Sequence, residues 1–475
     1  MFVGRDRELA TLERRWNSSQ FECVIVHGRR RVGKTTLINH FLKGRPAIFF
    51  PAIESNMDGN LKTLSNSIAM YRSMVDNAGT VTDDFVDTVA SAPVYQDFES
   101  ALESIFQLAR SRRLVLVIDE YPYLAKADRS ISSVLQHAID RHKDDSKLMI
   151  ILCGSSMSFM ERQVLGYTSP LYGRRTAQIK VEPFGYTDVR KFLPRYTAED
   201  AAIAYGLTDG IPQYLRQIDD TMSIRNNVRW NIIDPDCYLF EEPGNLLKQE
   251  LRSPAEYNSI IQAIASGASR LNTIASSCHM ETSSCSTYLR NLIDLGIVHK
   301  ETPFGEDSPR KTIYRIEDSF FRFWYRFVPA NMPLIRSGNG DIAVERIMQS
   351  MNDFMGMVFE DMCIQWLWAN NASGKLPFLL LDAGRWWGAD PKTHSQEEID
   401  IVATGDEPKS MLFCECKWRS VPSSLRQLET LRYRSSLLHA EHGHFMLFSK
   451  TGFDDHVIER AKLDDDVTLI DFADM

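Results

Sequence analysis

The feature that most constrains the fold is a glycine-rich segment at residues 28–35, which reads GRRRVGKT and fits the pattern GxxxxGK[ST] in full. An apolar stretch at residues 21–26 precedes it, and a helical stretch at residues 35–42 follows it. Between a strand and a helix, such a loop turns successive backbone N–H groups toward phosphate oxygens, and the helix dipole adds to the attraction. The alternative is a glycine-rich turn that matches the pattern by chance. Few chance matches have a strand before them and a helix after them. The segment therefore predicts a binding site for a nucleoside triphosphate.

The residue types within this loop indicate individual roles. We expect Lys34 to reach the β- and γ-phosphates and the Thr35 hydroxyl to bind Mg²⁺. The remaining contacts to ATP are expected from Gly28, Arg29, Arg30, Arg31, Val32, Gly33 and Thr36. The three arginine side chains are equally consistent with contact to phosphate and with exposure to solvent, so no separate role is assigned to them.

Two acids, Asp119 and Glu120, directly follow five apolar residues at 114–118. A buried strand of this kind ends at the carboxyl edge of a parallel sheet, where ligands bind. There Asp119 would hold Mg²⁺, directly or through water, and Glu120 would polarise the attacking water. A solvated loop acid is the alternative for each residue, but the strand and the phosphate loop together favour a catalytic pair.

Further apolar segments at residues 47–50, 148–152 and 178–181 alternate with helical patterns, which indicates a parallel sheet covered on both faces. Ser155 or its neighbour Ser156, just after the fourth strand, is expected near the γ-phosphate; the alternative is a cap of the next helix. Arg174 is expected to contact the γ-phosphate in its own chain or in a neighbouring one; the alternative is a surface arginine.

Composition limits the classes of protein that fit. With 475 residues the chain is long enough for about three domains of roughly 150 residues each. A net charge of -9 argues against a uniformly DNA-coating protein, although a basic face can exist on an acidic molecule. The eight cysteines form no paired CxxC motifs, which favours reduced thiols over a metal site or disulfides. The sequence shows neither a signal peptide nor an apolar stretch of about 18 residues, so we expect a soluble, cytoplasmic protein with no membrane partner.

A second group of chemically informative residues lies near the C-terminus: Glu360 in a helical stretch, Asp400 at the end of one strand, and Glu415 with Lys417 on the next. Residues two apart on a strand point to the same side, so Glu415 and Lys417 are expected to face one ligand. The three carboxylates would hold Mg²⁺ or Mn²⁺, and Lys417 would orient or activate water for phosphodiester hydrolysis. The alternatives are exposed strand ends, an ion pair, or a retained fold without catalysis.

Residues 249–318 combine helical stretches with a hairpin, in the order of a winged helix-turn-helix. In a DNA-binding role, its third helix would present Ser283, Ser284, Ser286, Thr287 and Arg290 to the groove. That face carries few cations, whereas strong phosphate binding normally needs several. The pattern therefore favours a protein-interaction or lid module over DNA binding.

Six segments occur in a characteristic order: FVGRDREL, GRRRVGKTTL, LVLVIDEYPYL, LCGSS, PLYGRR and GIPQYL. Together they resemble the prokaryotic AAA/STAND-type ATPases, also called archaeal-type ATPases, over about the first 245 residues. The resemblance implies that residues 2–9 pack by the nucleotide base, that a helical lid follows the sheet, and that Pro212 stands beside the nucleotide. Many members continue with a winged helix and a domain that resembles the restriction-endonuclease-like PD-(D/E)xK fold, so the resemblance extends over almost the whole chain.

These patterns predict an α/β fold: a P-loop AAA-type parallel sheet with a helical lid, then a winged helix, then a small α/β restriction-endonuclease-like domain. The expected limits are 1–195 for the NTPase core, 196–248 for the lid, 249–318 for the winged helix, 319–345 for a connecting helix and 346–475 for the last domain. In the last domain, strands are predicted at residues 377–381, 398–403, 411–416 and 444–449.

The predicted function is an ATPase coupled to a nuclease-like effector domain, with DNA, a homo-oligomer or a protein partner as candidate interactions. The main alternative is a nucleotide-dependent switch or assembly scaffold with an inactive nuclease-like fold. A transcription regulator that acts through the winged helix is a third candidate.

Overall fold

The computed structural model describes residues 2–76, 94–306, 308–407, 409–438 and 440–475. The chain divides into two compact units, one of Met1–Phe184 with Ile211–Gln213 and the other of Gly185–Gly210 with Tyr214–Met475. The finer limits expected for five domains stay predictions. In the described part of the chain, no helix has both the length and the apolar character that crossing a bilayer requires.

A five-stranded parallel sheet forms the centre of the first unit, with the strand order β2-β3-β4-β1-β5. Its strands are β1 (Glu22–His27), β2 (Ala47–Pro51), β3 (Leu114–Asp119), β4 (Leu148–Gly154) and β5 (Ala177–Lys180). The helices are Asp6–Asn17, Lys34–Phe41, Met57–Asp76, Phe98–Ser111, Tyr121–Ala127, Ile131–His142 and Met157–Phe159, the last continued by a π-helical turn at Met160–Val164. All five predicted strands are confirmed, with small shifts at their ends.

The central strands β1, β3 and β4 are buried along their whole length because both faces of the sheet are covered. Cys23 and Ile25 of β1 belong to the core on one face, whereas Val24 and Val26 belong to the core on the other. Since the strands run in the same direction, the loops that follow β1, β3 and β4 meet at one edge of the sheet. Both predicted ATP-binding motifs lie at this edge.

The second unit begins with helices and a hairpin. Its helices are Tyr186–Phe192, Ala198–Thr208, Ile224–Asn227, Glu242–Glu250, Pro254–Ala265, Leu271–Ser277, Thr282–Asp294, Ser319–Arg336, Gly340–Gln349, Met351–Ala369, Leu425–Ser435 and Asp455–Leu463, with a π-helical turn at Val228–Ile232. A short helix, Pro212–Leu215, continues from the first unit into the second. Strands β6 (Val298–Glu301) and β7 (Ile313–Ile316) form an antiparallel hairpin. The helices and hairpin predicted between residues 249 and 318 are therefore present, while their assignment as a winged helix stays a prediction.

A second sheet completes this unit, in the order β12-β11-β10-β9-β8. Its strands are β8 (Leu380–Ala389), β9 (Gln396–Gly405), β10 (Ser410–Lys417), β11 (His442–Ser449) and β12 (Val467–Asp471). The strands from β8 to β10 are antiparallel, and those from β10 to β12 are parallel. The helix Met351–Ala369 packs against β9 and β10. Side chains of this helix and of these two strands can therefore meet at the centre of the sheet.

Two predictions about the C-terminal half were wrong. Residues 319–345 form not one connecting helix but Ser319–Arg336 and the beginning of Gly340–Gln349, because Gly338 takes a φ of +81° between them. The strand predicted at residues 377–381 begins only at Leu380 and continues to Ala389, because its later residues pair with β9. Strand β12 had not been predicted.

Candidate functional site

The loop between β1 and the helix Lys34–Phe41 has the backbone shape of a phosphate-binding loop. Gly28, Arg31 and Gly33 have φ values of +153°, +70° and +90°. Gly33 caps the helix, so the first N–H groups of the helix face the loop. A Cβ at residue 28 would lie 2.3 Å from the carbonyl oxygen of Val181. A close backbone approach therefore requires glycine at this position.

The Lys34 side chain folds back over this loop. Its Nζ donates hydrogen bonds to the carbonyl oxygens of Gly28 at 2.9 Å and Arg29 at 2.8 Å. Lys34 is only 6% exposed, and burial lowers the pKa of its amine, an effect that neighbouring acidic groups partly oppose. The ammonium group is thus hydrogen-bonded to two neutral carbonyl oxygens of the loop, and phosphate oxygens can replace these acceptors.

The other predicted loop residues differ in their surroundings. Val32 is buried, and Thr36 is exposed in the first turn of the helix. The Nη2 of Arg30 donates to the Tyr123 hydroxyl at 3.2 Å, whereas Arg29 contributes its carbonyl oxygen to Lys34. The Arg30 side chain and the Arg29 carbonyl group thus make different contacts, and contact of the three arginines with ATP stays a prediction.

The acid at the end of β3 meets the first turn of the helix that follows the loop. Thr35 Oγ1 donates to Asp119 Oδ2 at 3.0 Å, and the backbone N–H of Glu120 donates to Asp119 Oδ1 at 3.1 Å. Asp119 is 8% exposed. A hydroxyl and a carboxylate oxygen are ligands that Mg²⁺ accepts in proteins, so these residues fit the metal of an ATP complex.

Glu120 adopts a left-handed backbone conformation and is held by the neighbouring strand. Its φ is +51°, which is uncommon for a residue with a side chain. Glu120 Oε2 accepts hydrogen bonds from the Oγ of Ser155 at 2.9 Å and from its backbone N–H at 3.3 Å. The structure therefore brings Ser155 into this group of residues, with its hydroxyl engaged by Glu120.

Arg174 lies away from these residues. It precedes β5 and is thus at the amino edge of the sheet, whereas the phosphate loop follows the carboxyl end of β1. Its guanidinium donates to both carboxylate oxygens of Asp140, at 3.2 and 2.8 Å, beside a cleft of about 790 Å³. The structure does not bring Arg174 to the phosphate loop of its own chain.

Two neighbours of the loop had not been identified individually from the sequence. Arg5 donates from Nη2 to the carbonyl oxygen of Val32 at 2.8 Å, and its guanidinium lies 4.6 Å from the centre of the Phe184 ring. Pro212, which the family resemblance placed beside the nucleotide, lies 3.9 Å from where a Cβ on Gly33 would be. The opening GRDRE segment was a usable signal for Arg5, whereas no motif indicated Phe184.

In the second unit, the two strand carboxylates predicted as metal ligands share one lysine. Lys417 Nζ lies 3.3 Å from Asp400 Oδ2 and 2.5 Å from Glu415 Oε1. Asp400 Oδ2 also accepts from the backbone N–H of Cys416 at 2.8 Å. Burial alone would lower the pKa of Lys417, but the two carboxylates raise it above the usual value. The lysine is therefore a fixed positive charge between two buried acids.

Glu360, on the helix Met351–Ala369, belongs to the same buried region but pairs with another cation. The Nε of Arg385 lies 3.3 Å from Glu360 Oε2. Burial raises the pKa of Glu360, and Asp400 adds to this effect while Arg385 opposes it. Burial likewise raises the pKa of Glu415. The pairing of Arg385 with Glu360 was not predicted from the sequence.

Among the described residues, no group of three or more His, Cys, Asp or Glu side chains is arranged to hold a metal ion. Two oxygens, Glu360 Oε2 and Glu415 Oε2, are buried and have no hydrogen-bond partner in this part of the chain. The Nη1 of Arg434 lies 3.7 Å from Glu415 Oε2. Buried carboxylate oxygens without a hydrogen-bond partner are suitable ligands for Mg²⁺ or Mn²⁺. Since the described residues show no complete group of ligands, the metal site stays a proposal.

Known proteins give a consistent assignment for the chain. A family described as an ATPase domain predominantly from Archaea matches residues 2–218, and one described as archaeal and bacterial proteins of unknown function matches residues 324–429. An uncharacterized protein of Methanocaldococcus jannaschii is 32% identical over 445 residues and is matched over 92% of each chain. An uncharacterized ATP-binding protein of the same organism is 53% identical over 45 residues, which are 10% of this chain and 76% of that one.

Among solved structures, the Walker-type ATPase of Pyrococcus abyssi has a TM-score of 0.49 at 21% identity, over 68% of this chain and 96% of that one. The long match to the Methanocaldococcus protein and the match to the ATPase domain agree with the loop and the acids at the sheet edge. The chain therefore belongs to the family of archaeal-type ATPases.

Proposed function

We propose that the first unit hydrolyses ATP with Mg²⁺ bound by Thr35 and Asp119 and with Glu120 as the base for the attacking water. The observation that carries this proposal is the 3.0 Å contact between Thr35 Oγ1 and Asp119 Oδ2. When bound, Mg²⁺ would neutralise charge on the phosphates. Lys34 would exchange its two carbonyl contacts for phosphate oxygens, and the loop N–H groups would bind the remaining oxygens.

The contact between Glu120 and Ser155 suggests an order of events within this site. A γ-phosphate would compete for the Ser155 hydroxyl and so release Glu120 Oε2. The freed carboxylate would then accept a proton from water, as a general base does. Ser155 would thus contribute to both the ground state and the reacting state.

The magnesium requirement tests this assignment. We expect Thr35→Ala to raise the Mg²⁺ concentration for half-maximal ATPase activity by at least about tenfold, because one metal ligand is removed. Asn39→Ala, on the exposed face of the same helix, is the matched control and should behave as wild type. An unchanged Mg²⁺ dependence in Thr35→Ala would show that Thr35 is not a ligand.

We also propose that the second unit cleaves phosphodiester bonds at Asp400, Glu415 and Lys417. The convergence of both acids on one lysine, within 3.3 Å, supports this role. Asp400 and Glu415 would hold Mg²⁺ or Mn²⁺, which would supply an activated water, and Lys417 would orient that water. Glu360 would join the ligands by exchanging its contact with Arg385.

Cleavage assays with supercoiled, linear and single-stranded DNA, in Mg²⁺ or Mn²⁺ and with or without ATP, test this second proposal. Cleavage should occur with wild type and with the exposed control Asp465→Asn, and should be abolished in Asp400→Asn. If ATP is hydrolysed and no substrate is cut, the nuclease proposal is wrong. A nucleotide-dependent switch would then be favoured, and ATP-dependent oligomerisation measured by light scattering would support it.

For the segment that precedes Asp400, Glu415 and Lys417 in the chain, we propose a winged helix formed by Pro254–Ala265, Leu271–Ser277, Thr282–Asp294 and the β6–β7 hairpin. The third helix exposes Ser283, Ser284, Thr287 and Arg290, while Ser286 is half-buried. A single exposed cation on this face favours a protein-interaction or lid role over tight DNA binding.

A further inference from the structure

A polar cleft of about 570 Å³ lies within the second unit, between the β6–β7 hairpin and strand β8. The two walls are joined directly. The backbone N–H of Phe304 donates to the carbonyl oxygen of Arg385 at 2.8 Å, and the Phe304 ring lies 3.3 Å from where a Cβ on Gly384 would be. These contacts hold the hairpin loop against β8 at one side of the cleft.

Three arginines from three different elements line this cleft: Arg315 on β7, Arg322 on the helix Ser319–Arg336, and Arg385 on β8. Their side chains are 18%, 10% and 18% exposed. Burial lowers the pKa of Arg315, and the positive charge of Arg385 adds to this effect. Gathering three like charges in a buried region is costly unless each finds an acceptor.

The acceptors within the protein leave part of this requirement unmet. The pairs are Arg315–Glu301 at 3.3 Å, Arg322–Asp361 at 3.1 Å and Arg385–Glu360 at 3.3 Å. Arg385 also lies 3.7 Å from Glu398, but each guanidinium carries five N–H donors and these ion pairs use only some of them. Within the described residues, the buried Nε of Arg322 has no hydrogen-bond partner. The cleft therefore offers donors to a further acceptor.

We propose that this cleft binds phosphate groups of a nucleic-acid strand. Phosphate oxygens match the planar donor pattern of arginine, and arginine clusters are a recurring means of phosphate recognition. Arg385 links the cleft to the proposed metal site, because its guanidinium also contacts Glu360, one of the proposed metal ligands. This inference rests on the proposed nuclease role, which explains why a nucleic-acid strand would bind here. Binding itself does not require cleavage.

The acids at the rim of the cleft limit the affinity rather than exclude the ligand. Of the five acids that line the cleft, Glu301 and Asp361 pair with arginines and Glu306 pairs with Lys311. The other two, Glu317 and Asp382, are exposed, so water and salt screen their charges. The buried arginines are screened less, and the exposed Lys300 adds a cation at the rim. Binding should therefore be moderate and should weaken as the salt concentration rises.

Fluorescence anisotropy with the full chain and a labelled single-stranded DNA of about 12 nucleotides, without divalent metal, tests the proposal. Arg322→Gln should weaken binding about tenfold and lower the slope of log affinity against log salt by about 0.7 for each phosphate that the variant no longer neutralises. Arg460→Gln, an exposed arginine of the same unit, is the matched control and should bind as wild type. Equal binding by Arg322→Gln and wild type would overturn the proposal.

A second variant distinguishes an altered binding site from a misfolded protein. Asp361→Asn removes the carboxylate that occupies Arg322, so it should bind the strand several times more tightly, which a misfolded protein would not do. Unchanged or weaker binding by Asp361→Asn would contradict the proposal. Displacement of the strand by an equal concentration of cytidine monophosphate would overturn the assignment of a strand as the ligand, whereas resistance to it would support that assignment. Arg322-dependent binding without cleavage would overturn the nuclease role alone.

Discussion

The two candidate sites stabilise buried charge in different ways. In the first unit, Lys34 donates to backbone carbonyl oxygens and Asp119 accepts from the Thr35 hydroxyl, so cation and anion each have neutral partners. In the second unit, Lys417 lies between the carboxylates of Asp400 and Glu415. One site keeps its charges apart, and the other pairs them directly.

This difference bears on what each site can exchange. A lysine bound to carbonyl oxygens can move to a phosphate without leaving an unpaired charge behind. If a lysine between two buried carboxylates moves away, both carboxylates lose their counter-charge. Buried charges without a partner strongly destabilise the folded protein. The first site is therefore suited to ligand exchange, and the second needs an incoming cation to replace the lysine.

The largest expected effect tests whether chemistry at the first site depends on one acid. Glu120→Gln should lower the rate of ATP hydrolysis by about 10²- to 10⁴-fold, because the general base is removed, while ATP affinity is retained. Phosphate release and the binding of a fluorescent ATP analogue measure the two quantities. Glu161→Gln, an exposed acid of the same unit, should hydrolyse ATP normally. Full activity in Glu120→Gln would remove Glu120 from the mechanism.

Replacing each lysine by methionine tests the charge comparison itself. Lys417→Met should destabilise the second unit by about 3–5 kcal/mol, since two buried carboxylates lose their counter-charge. Lys34→Met should cost about 1 kcal/mol, because only hydrogen bonds to carbonyl oxygens are removed. Calorimetric unfolding measures both changes, and adding Asp400→Asn to Lys417→Met should restore part of the stability. Equal destabilisation by the two lysine variants would refute the comparison.

Two glycines of the first unit sharpen the argument about the loop. Gly28→Ala should cost about 2–3 kcal/mol in stability and weaken ATP binding, because its Cβ would meet the Val181 carbonyl oxygen at 2.3 Å. Gly44→Ala should cost only about 1 kcal/mol, since Gly44 has a positive φ of +74° but no atom within 4 Å of the added Cβ. Thermal unfolding and ATP titration distinguish the two. Similar destabilisation in both variants would show that backbone strain, and not the close approach, decides.

The last of these predictions concerns protonation next to the loop. Burial lowers the pKa of His27 to about 4, and the positive charge of Lys180 adds to this effect. Because the unfolded state takes up a proton near pH 6.5, the stability from neutral His27 is complete above that pH and is lost as pH falls toward 4, by about 2–3 kcal/mol. His27→Gln should flatten the pH dependence of the melting temperature over this window. Parallel curves for the two proteins would rule out His27 as the titrating group.

The parts of the molecule that the sequence predicted well are contiguous patterns. The phosphate loop, the strand that ends at Asp119 and the strands of the first sheet each depend on neighbouring residues and on alternation with helices. For the same reason Glu415 and Lys417 were correctly expected to point together, as residues two apart on one strand.

The interactions that the sequence missed are those formed between distant segments. The hold of Ser155 on Glu120 and the pairing of Arg385 with Glu360 depend on packing that no local pattern encodes. The prediction for Arg174 failed for a different reason. The motif around Arg174 did not indicate whether this residue lies at the amino edge or the carboxyl edge of the sheet. Since it precedes a parallel strand, it lies at the amino edge, opposite the loop.

The central claim, that ATP hydrolysis depends on the phosphate loop, is tested most directly by measuring phosphate release from Mg²⁺–ATP with wild type, Lys34→Met and Lys43→Met. The account predicts that Lys34→Met loses activity by at least about 100-fold, since the cation that contacts the phosphates is gone. Lys43, an exposed lysine just after the same helix, should be replaceable without effect. Wild-type hydrolysis by Lys34→Met would contradict the account.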